Sequence, residues 1–98
     1  MIARVVNMKC ITGMEDKLKL MCLENLVPIN KEAGCIEVYF LEPNIEDDNP
    51  FFGVISIWEN KNVLNNMKNS EKYHSLLKTL TPLVESVTDS VFVISANI

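Results

Sequence analysis

The sequence predicts an α+β protein with the ferredoxin-like βαββαβ arrangement, and three observations support this prediction. Four segments are rich in apolar and β-branched residues, two regions have apolar residues at helical spacing, and the segments follow one another as β-α-β-β-α-α-β. In such a fold an antiparallel sheet carries helices on one face only. The length of 98 residues suits one domain, so we predict a single domain over residues 1–98.

The first strand and the first helix are predicted from the N-terminal third of the chain. The strand covers residues 2–11, with Ile2, Arg4, Val6, Met8 and Cys10 on one face and Ala3, Val5, Asn7, Lys9 and Ile11 on the other. Thr12 and Glu15 have the spacing of a capping box, which predicts a helix start. The helix has one apolar stripe of Leu18, Met21, Cys22, Leu26 and Ile29, and a second, nearly opposite, of Leu20, Leu23 and Val27. Pro28 should kink this helix or end its regular part, and Gly34 is placed to stop it.

Two further strands are predicted at Cys35–Leu41 and Phe51–Trp58. The connection between them is acidic and bracketed by prolines, which is typical of a hairpin with a long solvated loop. After the hairpin, Asn60 or Asn62 can cap a short helix, and Ser70 is predicted to cap the next one.

The C-terminal segment is predicted to hold the last helical turns and the fourth strand. Thr81 and Pro82 resemble a cap followed by proline at the first helical position, so the helix is expected to restart there and run to about Ser86. Val91–Ile98 is expected to form the final strand.

The strands are apolar on both faces, which one ferredoxin-like subunit cannot cover. One face of the predicted hairpin presents Ile36, Val38, Phe40, Phe52 and Val54, and the other presents Cys35, Tyr39, Leu41, Phe51, Ile55 and Ile57. Exposed apolar area of this extent calls for a partner. Two such sheets packed face to face would form a dimeric α+β barrel, so we predict a homodimer.

Composition and charge exclude several classes of partner. The net charge is −4 and Arg4 is the only arginine, so the chain has no basic field for nucleic acid. No apolar run is long enough to cross a bilayer, and the N-terminus lacks the layout of a signal peptide, so we expect a complete, cytoplasmic chain with no membrane partner.

Cys10, Cys22 and Cys35 lack metal-ligand spacing and are expected to be core thiols, without a metal site.

Two polar residues are candidates for chemistry, although no strong catalytic motif is present. His74 follows Glu71 by three residues on a predicted helix, so the two could form a pair on one face, and a solvated histidine is the plainer alternative. Asn7 is an amide within an apolar strand. If its face is the inner one, it points toward the helices and needs a hydrogen-bond partner from protein, water or ligand.

Aromatic residues and a methionine are candidates for a binding wall. Trp58, at the end of the third strand, can close a cavity, and its indole N–H needs an acceptor. Tyr73 supplies a phenol, while Met67 and Phe52 offer the soft and aromatic surfaces suited to a flat ring. Ordinary core packing would explain the same residues without a ligand.

Several short motifs resemble the antibiotic biosynthesis monooxygenase (ABM) superfamily, and its quinol-monooxygenase-like members in particular. Residues 32–36, Glu-Ala-Gly-Cys-Ile, are similar to the family's E-P-G-C-[LI] motif, with Ala33 in place of proline. Later motifs of the family are similar to residues 51–59, 62–64, 70–74 and 80–83. The likeness covers nearly the whole chain.

The resemblance implies a dimeric α+β barrel that oxygenates a small quinol, phenol or polycyclic aromatic compound with dioxygen. The protein would bind the phenol, assist its deprotonation and hold the ring next to dioxygen in a dry pocket. In this hypothesis Asn7 orients the ring oxygen and His74 or Tyr73 handles the proton. The wall consists of Phe52, Trp58 and Met67. No cofactor is expected, because the substrate itself is the electron donor.

Departures from the family pattern favour a second hypothesis. Frequent family histidines align with Met67 and Lys72, so two plausible bases are absent. Asn7 matches the asparagine of a haem-degrading branch, but the haem-ligating histidine of that branch aligns with Leu77, which disfavours haem degradation. The alternative is a non-catalytic dimeric barrel that binds a small apolar ligand or a partner protein.

Overall fold

The computed structural model describes residues 1–96, and its four antiparallel strands form one sheet. The strands are β1 (Ile2–Cys10), β2 (Glu37–Leu41), β3 (Phe52–Trp58) and β4 (Val84–Val93). Their order across the sheet is β2-β3-β1-β4, which places β2 and β4 at the edges. The predicted α+β ferredoxin-like class is confirmed.

The helices connect the strands and cover one face of the sheet. They are α1 (Glu15–Met21), a π-helical turn (Cys22–Leu26), α2 (Val27–Glu32), α3 (Lys61–Lys68) and α4 (Glu71–Leu80). A hydrophobic core lies between them and the sheet, and its most deeply buried members are Leu18, Cys22, Trp58, Leu64 and Met67. Within residues 1–96, no helix combines the length and the apolar character that crossing a bilayer requires.

Strand pairing decides which residues share a face of the sheet. Directly paired residues lie on the same face, so the pairs Val38 with Ser56 and Phe40 with Val54 point together toward the helices. We call this the inner face. The opposite, outer face presents Val5, Asn7, Tyr39, Leu41, Ile55, Ile57 and Phe92. The predicted apolar character of both faces is confirmed for these strands.

A π-helical turn accommodates Pro28 inside the first helical segment. Pro28 has no N–H to donate, and just before it the amide of Val27 donates to the carbonyl of Cys22, five residues back. The helix therefore continues past the proline to Glu32 and stops before Gly34, whose φ of 96° favours glycine. The predicted interruption is thus a local change of hydrogen bonding within one continuous helix.

Two predicted helix caps are confirmed. Asn60 Oδ1 accepts the N–H of Val63 at 3.1 Å, and Ser70 Oγ accepts that of Tyr73 at 3.2 Å. These bonds satisfy backbone donors that the first turn of a helix leaves without partners.

The capping box predicted at Thr12 is wrong. Gly13, with a φ of 94°, lies in a turn, and α1 begins only at Glu15. The Glu15 carboxylate accepts the N–H of Gly13 at 2.9 Å, so the acidic side chain still binds a backbone donor, but outside the predicted motif.

The start of the fourth strand differs from prediction. The prediction that a helix runs to about Ser86 is wrong, because β4 starts at Val84, directly after a 3-10 turn at Thr81–Leu83, and pairs with β1 along its length. The predicted strand Val91–Ile98 matches β4 only over residues 91–93, because β4 ends at Val93 and residues 94–96 are not in a strand; the last two residues lie outside the described part of the chain.

The start of the second strand is shifted as well. Because β2 begins at Glu37, the two residues before it do not follow the strand alternation. Cys35 packs against the core and Ile36 is exposed, the reverse of the predicted faces.

Candidate functional site

An ionic and hydrogen-bonded group of Arg4, Tyr73 and Asp89 lies on the inner face, and we call it the inner cluster. Arg4 is only 6% exposed. Its Nε and Nη2 donate to the two carboxylate oxygens of Asp89 at 3.0 and 2.6 Å, the bidentate geometry of strong arginine–carboxylate pairs. Nη2 also donates to the Tyr73 hydroxyl at 2.8 Å. The cluster therefore joins β1, β4 and α4 through polar contacts.

Local structure positions each member of the inner cluster. Arg4 lies on the same face of β1 as Val6 and Met8, because every second residue of a strand points to the same side, and this is the inner face. Asp89 is paired with Val6, the next inner-face residue of β1, and so lies diagonal to Arg4. Tyr73 lies in the first turn of α4, whose start is set by the Ser70 cap.

The charges of the inner cluster stabilise each other. The hydrogen bonds from Arg4 lower the pKa of the Asp89 carboxyl, and burial opposes this shift without cancelling it. Burial by itself would lower the pKa of Arg4, but the hydrogen bonds with Asp89 and Tyr73 outweigh it, so the pKa is raised. Both groups are therefore ionised at neutral pH.

The residues predicted to form a wall are packed in the core. Trp58 has no exposed surface, and Met67 and Phe52 are buried. Trp58 Nε1 donates to Ser56 Oγ at 2.9 Å, which supplies the acceptor that a buried indole requires. Ser56 is paired with Arg4 across β3 and β1, so this second polar contact lies beside the inner cluster. Contact of the three wall residues with a substrate stays a prediction.

Asn7 lies on the outer face and is exposed. The condition under which Asn7 would point toward the helices is not met, because the helices cover the face that carries Arg4. Since the two residues are three apart in one strand, they point to opposite sides of the sheet. Asn7 Oδ1 lies beside Gly53 of β3, 3.6 Å from the position that a Cβ would occupy there. The sheet separates Asn7 from any ligand held between sheet and helices.

His74 is exposed on α4, although its neighbour Tyr73 is buried. Successive residues of a helix point about 100° apart, so both cannot face the sheet. Its backbone N–H donates to the carbonyl of Ser70 at 3.1 Å, as helical geometry requires. Of the three predicted catalytic residues, the structure thus brings only Tyr73 into the inner cluster.

The three residues that align with family histidines, Met67, Lys72 and Leu77, lie in different surroundings. Met67 is buried in the core. Lys72 is exposed, and its Nζ pairs with a carboxylate oxygen of Glu32 at 3.0 Å. Leu77, at the position of the haem ligand, is 40% exposed. None of the three side chains supplies a base to the inner cluster.

Arg4, Asp89 and Ser56 were not identified as functional residues from the sequence. A signal for Arg4 was present, because the only arginine interrupts an otherwise apolar strand face. A guanidinium buried there requires an acidic or hydroxyl partner. The partners were not predictable, since Tyr73 and Asp89 are 69 and 85 residues away in the chain.

The three cysteines are free thiols in mostly apolar surroundings. Burial raises the pKa of Cys22 to about 12 and also raises that of Cys10 and Cys35. A protonated thiol is a weak nucleophile and a weak metal ligand. Over residues 1–96, no group of three or more His, Cys, Asp or Glu side chains is arranged to hold a metal ion.

A groove of about 570 Å³ runs between the first helical segment and α4. Apolar atoms of Met21, Pro28, Ile29 and Leu76 line it together with the charged groups of Glu24, Glu32, Glu71 and Lys72. No member of the inner cluster borders this groove, so the two features are separate.

Comparison with solved structures shows the same fold in proteins named as antibiotic biosynthesis monooxygenases. A structure from Deinococcus radiodurans with a provisional name of this kind has a TM-score of 0.86 and 13% identity, and covers 100% of this chain and 96% of its own. A similarly named structure from Nitrosomonas europaea has a TM-score of 0.83 and 15% identity, covering 98% and 100%. A single-site mutant of SnoaB, a cofactor-independent oxygenase from Streptomyces nogalater, has a TM-score of 0.82 and 11% identity, covering 99% and 96%.

These similarities concern the fold. No protein-family model matches the sequence. No curated protein matches it either. The fold that the sequence resemblance implies is thus confirmed by structural neighbours that bear the ABM name and match over nearly the full length of both chains.

Proposed function

We propose that the protein is a cofactor-independent monooxygenase that acts on a small quinol, phenol or polycyclic aromatic compound. Two observations support this proposal. The chain shares its fold with SnoaB, which is described as a cofactor-independent oxygenase. The phenol of Tyr73 is hydrogen-bonded to Arg4 on the inner face of the sheet. The second observation has the greater weight, because it concerns the residues of this chain.

The hydrogen bonding of Tyr73 supports a role for it in proton transfer. Its oxygen accepts a hydrogen bond from Arg4, so its own O–H remains a donor for a substrate oxygen. Asp89 accepts from Nε and from the same Nη2 of Arg4, and this bidentate contact fixes the orientation of the guanidinium. A phenol positioned in this way among apolar residues suits a general acid or base that acts on a ring hydroxyl.

The proposed reaction draws all its electrons from the substrate. The ring hydroxyl loses its proton, and the electron-rich ring then reduces dioxygen. One oxygen atom forms a bond to a ring carbon, and the other leaves as water. A hydroquinone and one dioxygen thus give one hydroxyquinone and one water. The protein binds and orients the ring, moves the proton and keeps water away from the reacting atoms.

We expect the protein to accelerate dioxygen uptake by a hydroquinone or an anthrone, and Tyr73→Phe to lower this rate by about tenfold or more. Substrate and protein are mixed without dioxygen, air is admitted, and uptake is followed with an oxygen electrode. Tyr39→Phe is the matched control, because Tyr39 is a half-exposed tyrosine on the outer face. His74→Ala is a separate arm that tests the predicted histidine. No uptake with any ring substrate, or an equal loss in Tyr39→Phe, contradicts the proposal.

A non-catalytic binding protein is the second candidate. The observation that favours it is the exposure of Asn7 and His74, which leaves two predicted catalytic side chains outside the inner cluster. Native mass spectrometry of protein purified from its source distinguishes the candidates. A co-purified apolar ligand without turnover supports binding alone, whereas oxygen uptake that depends on Tyr73 supports the enzyme.

A homodimer formed by the outer faces is part of the same proposal. Large apolar side chains remain uncovered there, with Tyr39, Leu41 and Phe92 at 51%, 42% and 57% exposure. Patches of this kind mark association surfaces in soluble proteins. Ile55 lies between Val5 and Tyr39 in the sheet and is therefore central to the patch.

We expect the wild-type protein to sediment as a dimer at micromolar concentration and Ile55→Glu to sediment as a monomer. A carboxylate at the centre of a dry interface would be desolvated without a partner, so association is lost while the fold is kept. Leu20→Glu is the control, because Leu20 is equally apolar and 53% exposed but lies on α1. Sedimentation equilibrium that shows a stable wild-type monomer is the contradicting result.

A further inference from the structure

Arg4 has hydrogen-bond donors that the inner cluster does not use. Nε and Nη2 donate to Asp89 and Tyr73, while Nη1 donates to no residue within 1–96. Nη1 is also not completely buried. Among the described side chains, the single fully buried polar atom without a hydrogen-bond partner is Asn30 Oδ1, so Nη1, which has no partner either, must keep some exposed surface. Nη1 therefore keeps a small contact with solvent at the margin of a guanidinium that is otherwise buried, and its two N–H groups have no partner among the described residues.

An apolar strip borders these donors. β4 is an edge strand, and the helices leave its inner face open, so that Val87, Val91 and Val93 are 53%, 46% and 80% exposed. We call these three residues the β4 strip. Val91 is directly paired with Arg4, so the strip and the guanidinium lie side by side on one face. Val91 and Val93 are alternate residues of the strand and form an apolar surface against which an aromatic ring can lie, whereas Asp89 separates Val87 from them on the same face.

The local charge favours an anion. Arg4 and, more weakly, Lys68 lower the pKa of Asp89, so a second cationic side chain adds to the positive charge near this carboxylate. The chain as a whole has a net charge of −4. A locally positive site in an acidic protein selects anionic ligands by attraction at the site and by repulsion elsewhere.

We propose that Arg4 and the β4 strip bind an aromatic ligand whose ring carries an ionised oxygen substituent, with a hydroxyaryl carboxylate as the simplest member of the class. The ring lies on the β4 strip, and the ionised oxygens accept from Arg4 Nη1. This inference rests on the proposed function, because it narrows the substrate class of the same site. It makes Arg4 a binding residue and Asp89 the residue that orients it.

The test compares two ligands that share a fused ring and a hydroxyl but differ by one carboxylate, 3-hydroxy-2-naphthoate and 2-naphthol. Calorimetry without dioxygen measures binding apart from turnover. We expect the carboxylate to bind the wild-type protein about tenfold or more tightly than 2-naphthol, because a hydrogen bond to an ionised group adds affinity of this order. Arg4→Met should abolish this preference. Lys19→Met is the control, since it removes one positive charge that pairs with Glu42 and not with the inner cluster.

A second variant keeps the test decisive where Arg4→Met does not fold. Asp89→Asn keeps an oxygen that can accept from Arg4 and orient it, but removes the negative charge that repels an anionic ligand, so the preference for 3-hydroxy-2-naphthoate should increase severalfold. Equal affinity of the wild-type protein for the two ligands overturns the inference, and so does a smaller preference in Asp89→Asn. Preference without oxygen uptake supports this inference and contradicts the monooxygenase. Oxygen uptake with uncharged substrates, together with equal affinity for the two ligands, supports the monooxygenase and contradicts this inference.

Discussion

Replacing Asp89 with alanine should lower the free energy of unfolding by about 2–3 kcal/mol, because it leaves the buried charge of Arg4 without its ionic partner. Loss of one member of a fully buried pair costs more, but the Asp89 side chain is 34% exposed, so water replaces part of the interaction. The Tyr73 hydroxyl alone would then accept from the guanidinium. Urea denaturation at neutral pH measures the change.

The matched control for this prediction is Glu85→Ala in the same strand. Glu85 pairs with Lys9 at 3.6 Å, and both side chains are about half exposed. Exposed pairs of this kind contribute only about 0–1 kcal/mol, so the control should change stability little. A loss in Asp89→Ala no larger than in Glu85→Ala would show that the inner cluster does not stabilise the fold.

The same ion pair predicts how stability depends on pH. The folded pKa of Asp89 lies below its ordinary value of 3.8, because Arg4 stabilises the carboxylate. Its contribution is therefore complete above that ordinary value and is lost as the pH falls through the folded pKa. Asp89→Asn has no such contribution to lose. The difference in unfolding free energy between wild type and Asp89→Asn should narrow as the pH falls from about 5 toward 2, and a constant difference would contradict the assignment.

Truncation of Trp58 should have the largest effect on stability. Trp58 has no exposed surface, so Trp58→Ala removes a whole buried ring and is expected to cost about 3–5 kcal/mol. A small domain has a total stability of about 5–15 kcal/mol, so the variant should be at or near the unfolding threshold at room temperature. Circular dichroism with urea or heat measures the loss.

The hydrogen bond between Trp58 and Ser56 can be separated from packing by a double-mutant cycle. Ser56→Ala leaves the buried indole N–H without an acceptor and should cost about 1–3 kcal/mol. In a Trp58→Phe background the same change should cost much less, because no donor remains to be satisfied. Equal costs in both backgrounds would mean that the 2.9 Å contact contributes nothing.

The regular elements followed from local sequence patterns. Alternation and helical spacing predicted the element order, and the Asn60 and Ser70 caps were predicted from residue type and position. Boundaries failed where a long-range contact competes with a local preference. At Val84, pairing with β1 satisfies the backbone groups that a continued helix would have satisfied, and the strand forms instead.

The candidate site was predicted only in part. Tyr73 was identified because a phenol on a capped helix beside apolar residues is suited to a ring substrate. The face that carries Asn7 was left open, because both faces of β1 contain apolar residues and alternation alone does not say which one the helices cover. Arg4, on the other face of the same strand, occupies the inner position.

Composition and residue spacing are sufficient to predict a small acidic α+β protein, with strands apolar on both faces and a single arginine inside one of them. That the helices cover the arginine face, and that Asp89 and Tyr73 meet Arg4 there, follows from the folded arrangement. The difference arises from distance along the chain. Local sequence patterns reflect the secondary structure that a residue and its near neighbours in the chain favour. The inner cluster depends instead on strand register and helix placement across most of the chain.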